Sequence, residues 1–249
     1  MKRVLLPALF LLAAAGPAAA QSVSIDLGSA GGPGNTSRLV QLTALIGLLS
    51  LAPSLLVMAT AFARIVMVLS LLRSAIGAQG IPPNPVLVGL ALFLTFFVMQ
   101  PTAERSWTEG LEPMMAGRVG EMDGLKAAAE PFRAFMAAQA READVALFRD
   151  LAREPASEAA GQPVPWRVLF PAFLVGELKR AFEIGFLVFL PFLVIDMVVA
   201  SLLMSLGMMM LPPNAVSLPM KLIFFVLVDG WRLVSSGLVQ GFAEAAGGG

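Results

Sequence analysis

The chain contains no cysteine and no histidine, and only 14% of its 249 residues are charged. Without cysteine there are no disulfides, thiolate metal sites or cysteine nucleophiles. Without histidine there are no imidazole general bases, Ser-His-Asp triads or imidazole metal ligands. Carboxylate chemistry is all that is left for an enzyme. The sequence also has no GxxxxGK[ST] nucleotide loop and no Ser-Lys arrangement. These gaps argue against an enzyme, and no metal or other cofactor is expected. Lysine plus arginine and aspartate plus glutamate both number seventeen, so the net charge is zero and nothing points to nucleic acid.

What is present is apolar. Hydrophobic residues make up 57% of the chain, and its mean hydropathy is +0.81. Soluble domains sit nearer 45–50% apolar and about 25% charged, so the composition is that of a membrane protein. Met1-Lys2-Arg3 followed by an apolar run, Val4 to Ala15, and then Gly16-Pro17-Ala18-Ala19-Ala20 has the three parts of a secretory signal. The run is too short for a span, which needs about 20 residues. Cleavage between Ala20 and Gln21 is predicted. A flexible Gly- and Ser-rich tail over 21–38 follows, on the periplasmic side.

Four apolar segments come next. The first, about Leu39 to Leu72, carries Pro53, predicted to kink it, and Arg64 at membrane depth. The turn-rich GAQGIPPNP stretch separates it from a short second segment, Val86 to Met99. The third, Val168 to Leu206, is too long for one simple span, and Pro191 is predicted to break it. The fourth, Leu218 to Val239, has Lys221 at its start and Asp229 near its centre. Between the second and third, residues 102–167 hold eleven of the seventeen acids and eight of the seventeen bases. Within that insertion, Leu125 to Arg153 has amphipathic spacing through Phe132, Phe135, Met136, Leu147, Phe148 and Leu151. The expected fold is all-α: about four kinked hydrophobic helices in two hairpins, 39–101 and 168–241, a helical periplasmic insertion over 102–167, and a disordered tail over 242–249. With the amino terminus outside and four crossings, the insertion lies outside. Arg73 and the Met208–Pro213 turn lie inside, in line with the positive-inside rule.

Charges in apolar surroundings are the most informative residues, since each costs about 2.5–3.5 kcal/mol at a bilayer centre. Glu177, Lys179, Arg180 and Glu183 lie three and four apart, so they are neighbours on a helix. They form either a self-neutralising patch at a helix contact or the lining of a polar pathway. Arg64, Asp196, Lys221 and Asp229 each stand alone in an apolar run. Salt bridges between helices or subunits are expected for them, with a proton relay as the sharper alternative. Met208-Met209-Met210 at a tight turn is either adaptable apolar filler or, if several copies converge on an axis, a soft hydrophobic constriction.

Three long stretches resemble the FliP family of flagellar export-gate proteins and their SctR/YscR injectisome relatives. They are Pro53 to Pro101, Glu177 to Pro213 and Ser217 to Trp231; Pro131 to Phe148 adds to the likeness. The signal sequence and the insertion favour the flagellar branch. The resemblance implies a homo-oligomeric gate built with FliQ- and FliR-like subunits, working with FlhA- and FlhB-like components in the inner membrane at the flagellar basal body. It further implies that unfolded flagellar proteins pass through this gate, and that Met208, Met209 and Met210 form a gasket around the channel. The alternative is a secondary transporter or ion channel for small solutes, for which broken helices and intramembrane charges are suited. An inverted repeat would favour that alternative, and none is evident.

Overall fold

The computed structural model describes residues 57–78, 80–153, 163–208 and 210–247, together with a few positions between 43 and 50. The chain divides into two compact units, 1–51 and 52–249. In the first, the Ser50 hydroxyl donates to the Gly47 carbonyl at 2.8 Å. The predicted signal segment, its cleavage site at Ala20–Gln21, the tail over 21–38 and Pro53 lie outside the described residues.

The second unit is helical throughout its described residues, with no strand. Helix α1, Phe62–Ile76, buries Ile65, Val68, Leu69, Leu72 and Ile76, a three- and four-residue stripe that makes one apolar face. It stops at Gly77, whose φ of 79° lets its N–H donate back to the Arg73 carbonyl. Helix α2, Asn84–Ser106, buries Leu87, Ala91, Thr95 and Met99 at four-residue steps and leaves Phe93, Phe96 and Phe97 exposed.

The expected short second segment is in fact longer. Helix α2 runs through Pro101 into a π segment, Trp107–Leu111, and on into α3, Glu112–Met115. Composition changes near residue 102, but the backbone does not. The π segment brings Gly110 so close to the backbone of the next helix, α4 (Glu121–Gln139), that a Cβ there would collide with Ala128, and the Ser106 hydroxyl donates to the Ala128 carbonyl at 2.7 Å.

The amphipathic stretch of the insertion forms two helices, α4 (Glu121–Gln139) and α5 (Glu142–Leu151). Extended backbone at Ala140 and Arg141 separates them. Met136 is fully buried against Leu169 and Phe173, whereas Leu147 and Leu151 face outward.

Helix α6, Trp166–Ser205, is a single 40-residue helix. At 1.5 Å per residue it is roughly 60 Å long, twice a bilayer's hydrocarbon thickness of about 30 Å. The predicted break at Pro191 does not occur, nor does one at Pro171. A proline removes one backbone bond, and the helix continues through it beside the packed Phe192. Phe192 is buried in a cluster with Leu72, Ala75, Ile76 and Phe225.

The fourth expected segment is two helices, α7 (Pro213–Leu227) and α8 (Gly230–Gly247), bent by 62°. Among the described residues, two helices, over 84–115 and 166–205, are long and apolar enough to cross a membrane, or three if the bent pair counts as one. Helix α6 is the spine: α1, α4, α5 and α7 all pack on it. The largest core joins Ile65, Val68 and Leu69 of α1 with Leu87 and Met99 of α2, Ala181 of α6, and Leu238 and Phe242 of α8.

Candidate functional site

Three features stand out: two charged nodes and the methionine turn. The first node holds the most deeply buried charges among the described residues. Arg64 of α1 and Glu177 of α6 are 2% and 0% exposed. The arginine Nε donates to Glu177 Oε2 at 2.8 Å, and Nη2 donates to Oε1, a two-pronged carboxylate contact. Nη2 also donates to Gln139 Oε1 of α4 at 3.0 Å, and Arg180 Nη1 reaches the same oxygen at 2.8 Å. The Gln139 amide donates to the Phe242 carbonyl of α8 at 3.2 Å, and the Arg64 guanidinium carbon lies 3.7 Å from the Phe242 ring centroid. Four helices therefore meet at one guanidinium. Removing two charges from water is costly, and that cost is offset where donors and acceptors are met, as both Glu177 oxygens, the Arg64 Nε and Nη2, and the Gln139 amide are here.

Gln139 was not legible as part of this node. It ends an ordinary amphipathic helix, and nothing in its neighbourhood distinguishes it from a surface glutamine. The helical spacing in α6 accounts for only part of the pairing. Lys179 and Glu183 pair at 3.7 Å, but both are more than half exposed rather than buried. Arg180 approaches Glu177 at 3.9 Å and turns to Gln139, with no ion pair to Glu183. Glu177 itself pairs with a helix more than a hundred residues earlier.

The second node lies towards the other end of α6. Lys221 Nζ of α7 pairs with Asp196 Oδ2 of α6 at 2.6 Å and donates to the Ala75 carbonyl in the last turn of α1 at 3.1 Å. Lysine at a helix C-terminus meets orphan carbonyls and the negative end of the helix dipole, so this position suits it. Asp229 does not join either node. It sits exposed at the α7–α8 bend with φ of 50°, and no ion pair reaches it among the described residues. Its carbonyl accepts the Leu233 N–H at 3.1 Å, so in this chain it shapes the bend.

The methionine turn follows α6. Gly207 has φ of 70°; its N–H donates to the Met204 carbonyl at 3.1 Å, and the Met208 N–H donates to the Leu203 carbonyl at 3.0 Å. This crossed pair closes the helix end, and only glycine takes the left-handed position without strain. Met208 is 41% exposed and Met210 is 98% exposed; Met209 lies outside the described residues. The turn is thus fixed in backbone while its apolar side chains are left uncovered by the rest of the chain. Among the described residues no cluster of three or more acids is arranged to hold a metal ion.

The family model for the FliP family matches residues 45–238. The chain is 56% identical over 235 residues to the flagellar biosynthetic protein FliP of Caulobacter vibrioides, covering 93% of this chain and 87% of that relative. It is 47% identical over 218 residues to the protein of the same name in Bacillus subtilis, covering 88% and 98%. With the one in Agrobacterium fabrum it shares 44% identity over 244 residues, covering 97% and 100%.

Proposed function

The chain belongs to the FliP family, and from that premise we propose that it is a non-enzymatic subunit of the gate through which unfolded flagellar proteins cross the inner membrane during flagellum assembly. Several copies surround a channel with FliQ- and FliR-like subunits, next to FlhA- and FlhB-like components of the basal body. Met208, Met209 and Met210 face the channel as a soft apolar gasket. Residues 102–167 lie on the periplasmic side, the signal segment is cleaved after Ala20, and the hydrophobic helices form two hairpins.

The observation that carries this reading is the uncovered methionine turn at the tip of the α6–α7 hairpin, with Met210 almost wholly exposed. A rigid turn with flexible thioether side chains suits a seal that excludes ions when closed and deforms around a passing chain. The exposed Phe93, Phe96 and Phe97 on α2 and the exposed apolar face of α6 are further support, since lipid or neighbouring subunits would cover them.

The test is replacement of Met208, Met209 and Met210 by alanine in cells. The expected result is a membrane leaky to ions with residual flagellar export. Unchanged ion tightness in cells that still assemble the gate would falsify the gasket. Recovery of a functional lone chain with no FliQ- or FliR-like partner would favour a small-solute transporter instead.

A further inference from the structure

From Lys221 towards the methionine turn, most described side chains of α6 and α7 are exposed, and Leu218 is the residue of this stretch that packs against the α1 cluster. On the far side of the node Phe192 and Phe225 are packed into the cluster with Leu72, Ala75 and Ile76 of α1. On the near side, residues 197–220, the buried side chains are Val199, Leu203 and Ser217, and the great majority of the rest are exposed. From Asp196 to Ser205 is nine residues of helix, roughly 13 Å, and from Pro213 to Lys221 is eight, roughly 12 Å. The methionine turn is therefore carried on a two-helix arm, and the arm leaves the body of the molecule at the Lys221 node.

That node is built to hold an angle. One ammonium binds three helices: α7 through its own backbone, α6 through the 2.6 Å bond to Asp196, and α1 through the 3.1 Å bond to the Ala75 carbonyl. The α6 bond alone would join the two helices of the arm to each other. Both α6 and α7 run unbroken through the node into the body, where Phe192 and Phe225 pack with Leu72, Ala75 and Ile76 of α1. The Ala75 bond adds a directional polar tie from the base of the arm to α1, because its acceptor belongs to neither arm helix.

We propose that Lys221 is a positioning residue for the methionine turn, setting the angle of the α6–α7 arm to the body through Asp196 and the Ala75 carbonyl. The inference rests on the gasket reading given above for its functional consequence, but its geometric content does not. In the assembled gate, a mobile arm makes an imperfect seal even with all three methionines in place.

The test uses Lys221→Met, which keeps the stem and removes the ammonium, Lys221→Arg, which keeps charge and donors, and Asp196→Asn, which weakens only the α6 bond. Each is expressed as the full chain in cells, and ion leak and flagellar export are normalised to assembled gate. Lys221→Met is expected to raise ion leak several-fold, Asp196→Asn less, and Lys221→Arg least. Because the chain has no cysteine, spin labels at S74C and L211C report the arm directly, with labelled chain diluted into unlabelled chain. The Lys221→Met substitution should broaden that distance distribution, and Lys221→Arg should preserve it.

A narrow, wild-type distribution in Lys221→Met overturns the proposal whatever the leak. If Lys221→Met prevents assembly, Asp196→Asn carries the same test, and a wild-type distance and leak there overturns it. A broadened distribution alongside alanine-substituted methionines that do not leak would instead remove the gasket reading and leave the arm geometry standing.

Discussion

The two ends of α6 solve opposite problems. Around Glu177 the chain buries charge and pairs it: Arg64, Gln139, Arg180 and the Phe242 carbonyl form one network. Around Met208 the chain exposes apolar side chains and covers almost none of them. The first end is finished within one chain. The second leaves apolar side chains that the described residues of its own chain do not cover. Burial of a charge needs many simultaneous partners, so it is assigned to the end where four helices already converge.

The largest expected effect tests the finished end. Removing one partner, Glu177→Ala or Arg64→Ala, strands the other charge in a dry site and should cost about 3–5 kcal/mol, seen as loss of a cooperative thermal transition in the detergent-solubilised chain. The double apolar change Arg64→Met with Glu177→Leu should recover much of that loss, because the lone charge is gone. A single substitution that leaves unfolding unchanged would mean the network contributes nothing, and the contrast between the ends would collapse.

The Lys221 node should be less sensitive, since Asp196 is one-third exposed. Losing its charged hydrogen bonds in Lys221→Met is expected to cost roughly 1–3 kcal/mol. A loss as large as that at Glu177 would show that both nodes are equally structural. Gly207→Ala forces a side chain into a left-handed position and should lower stability by about 1–2 kcal/mol, measurable as a lower unfolding midpoint. Met208→Ala with Met210→Ala should stay within about 0.5 kcal/mol, because these side chains pack on little of their own chain; a larger change would place them in the core.

A small effect that depends on pH is expected at the surface of the insertion. The Arg133 guanidinium hydrogen-bonded to Glu130 holds that carboxyl below its ordinary range. Its contribution is present above the ordinary carboxylate pKa and is lost as pH falls through the lowered folded value. For Glu130→Gln the loss near neutrality should be under about 1 kcal/mol and should vanish in acid. Persistence of the difference in acid would assign it to packing rather than charge.

Much of the fold was legible in the sequence. The apolar run from about Leu39 to Leu72 covered most of α1, and the apolar length of residues 168–206 marked α6, because hydrophobic length is a local quantity. Helix continuity was not. Pro191 read as a break and Pro101 as an end, since local chemistry records the lost backbone bond but not Phe192 packed in a core beside it. The 62° bend at Asp229 was equally hidden; an apolar run is blind to one left-handed residue.

The site divides along the same line. That charges at Arg64, Glu177, Asp196 and Lys221 must be met was settled by sequence, because an apolar run makes any charge in it expensive wherever it goes. Which charge meets which was decided by tertiary structure alone. Glu177 has Arg180 within one helical turn, yet its two-pronged partner is Arg64, and Lys221 reaches past Asp196 to a backbone carbonyl on a third helix. Helical neighbours are fixed by spacing, but partners across helices depend on register and crossing angle. The packing of Leu72, Phe192 and Phe225 sets those together, and no short stretch of sequence contains them.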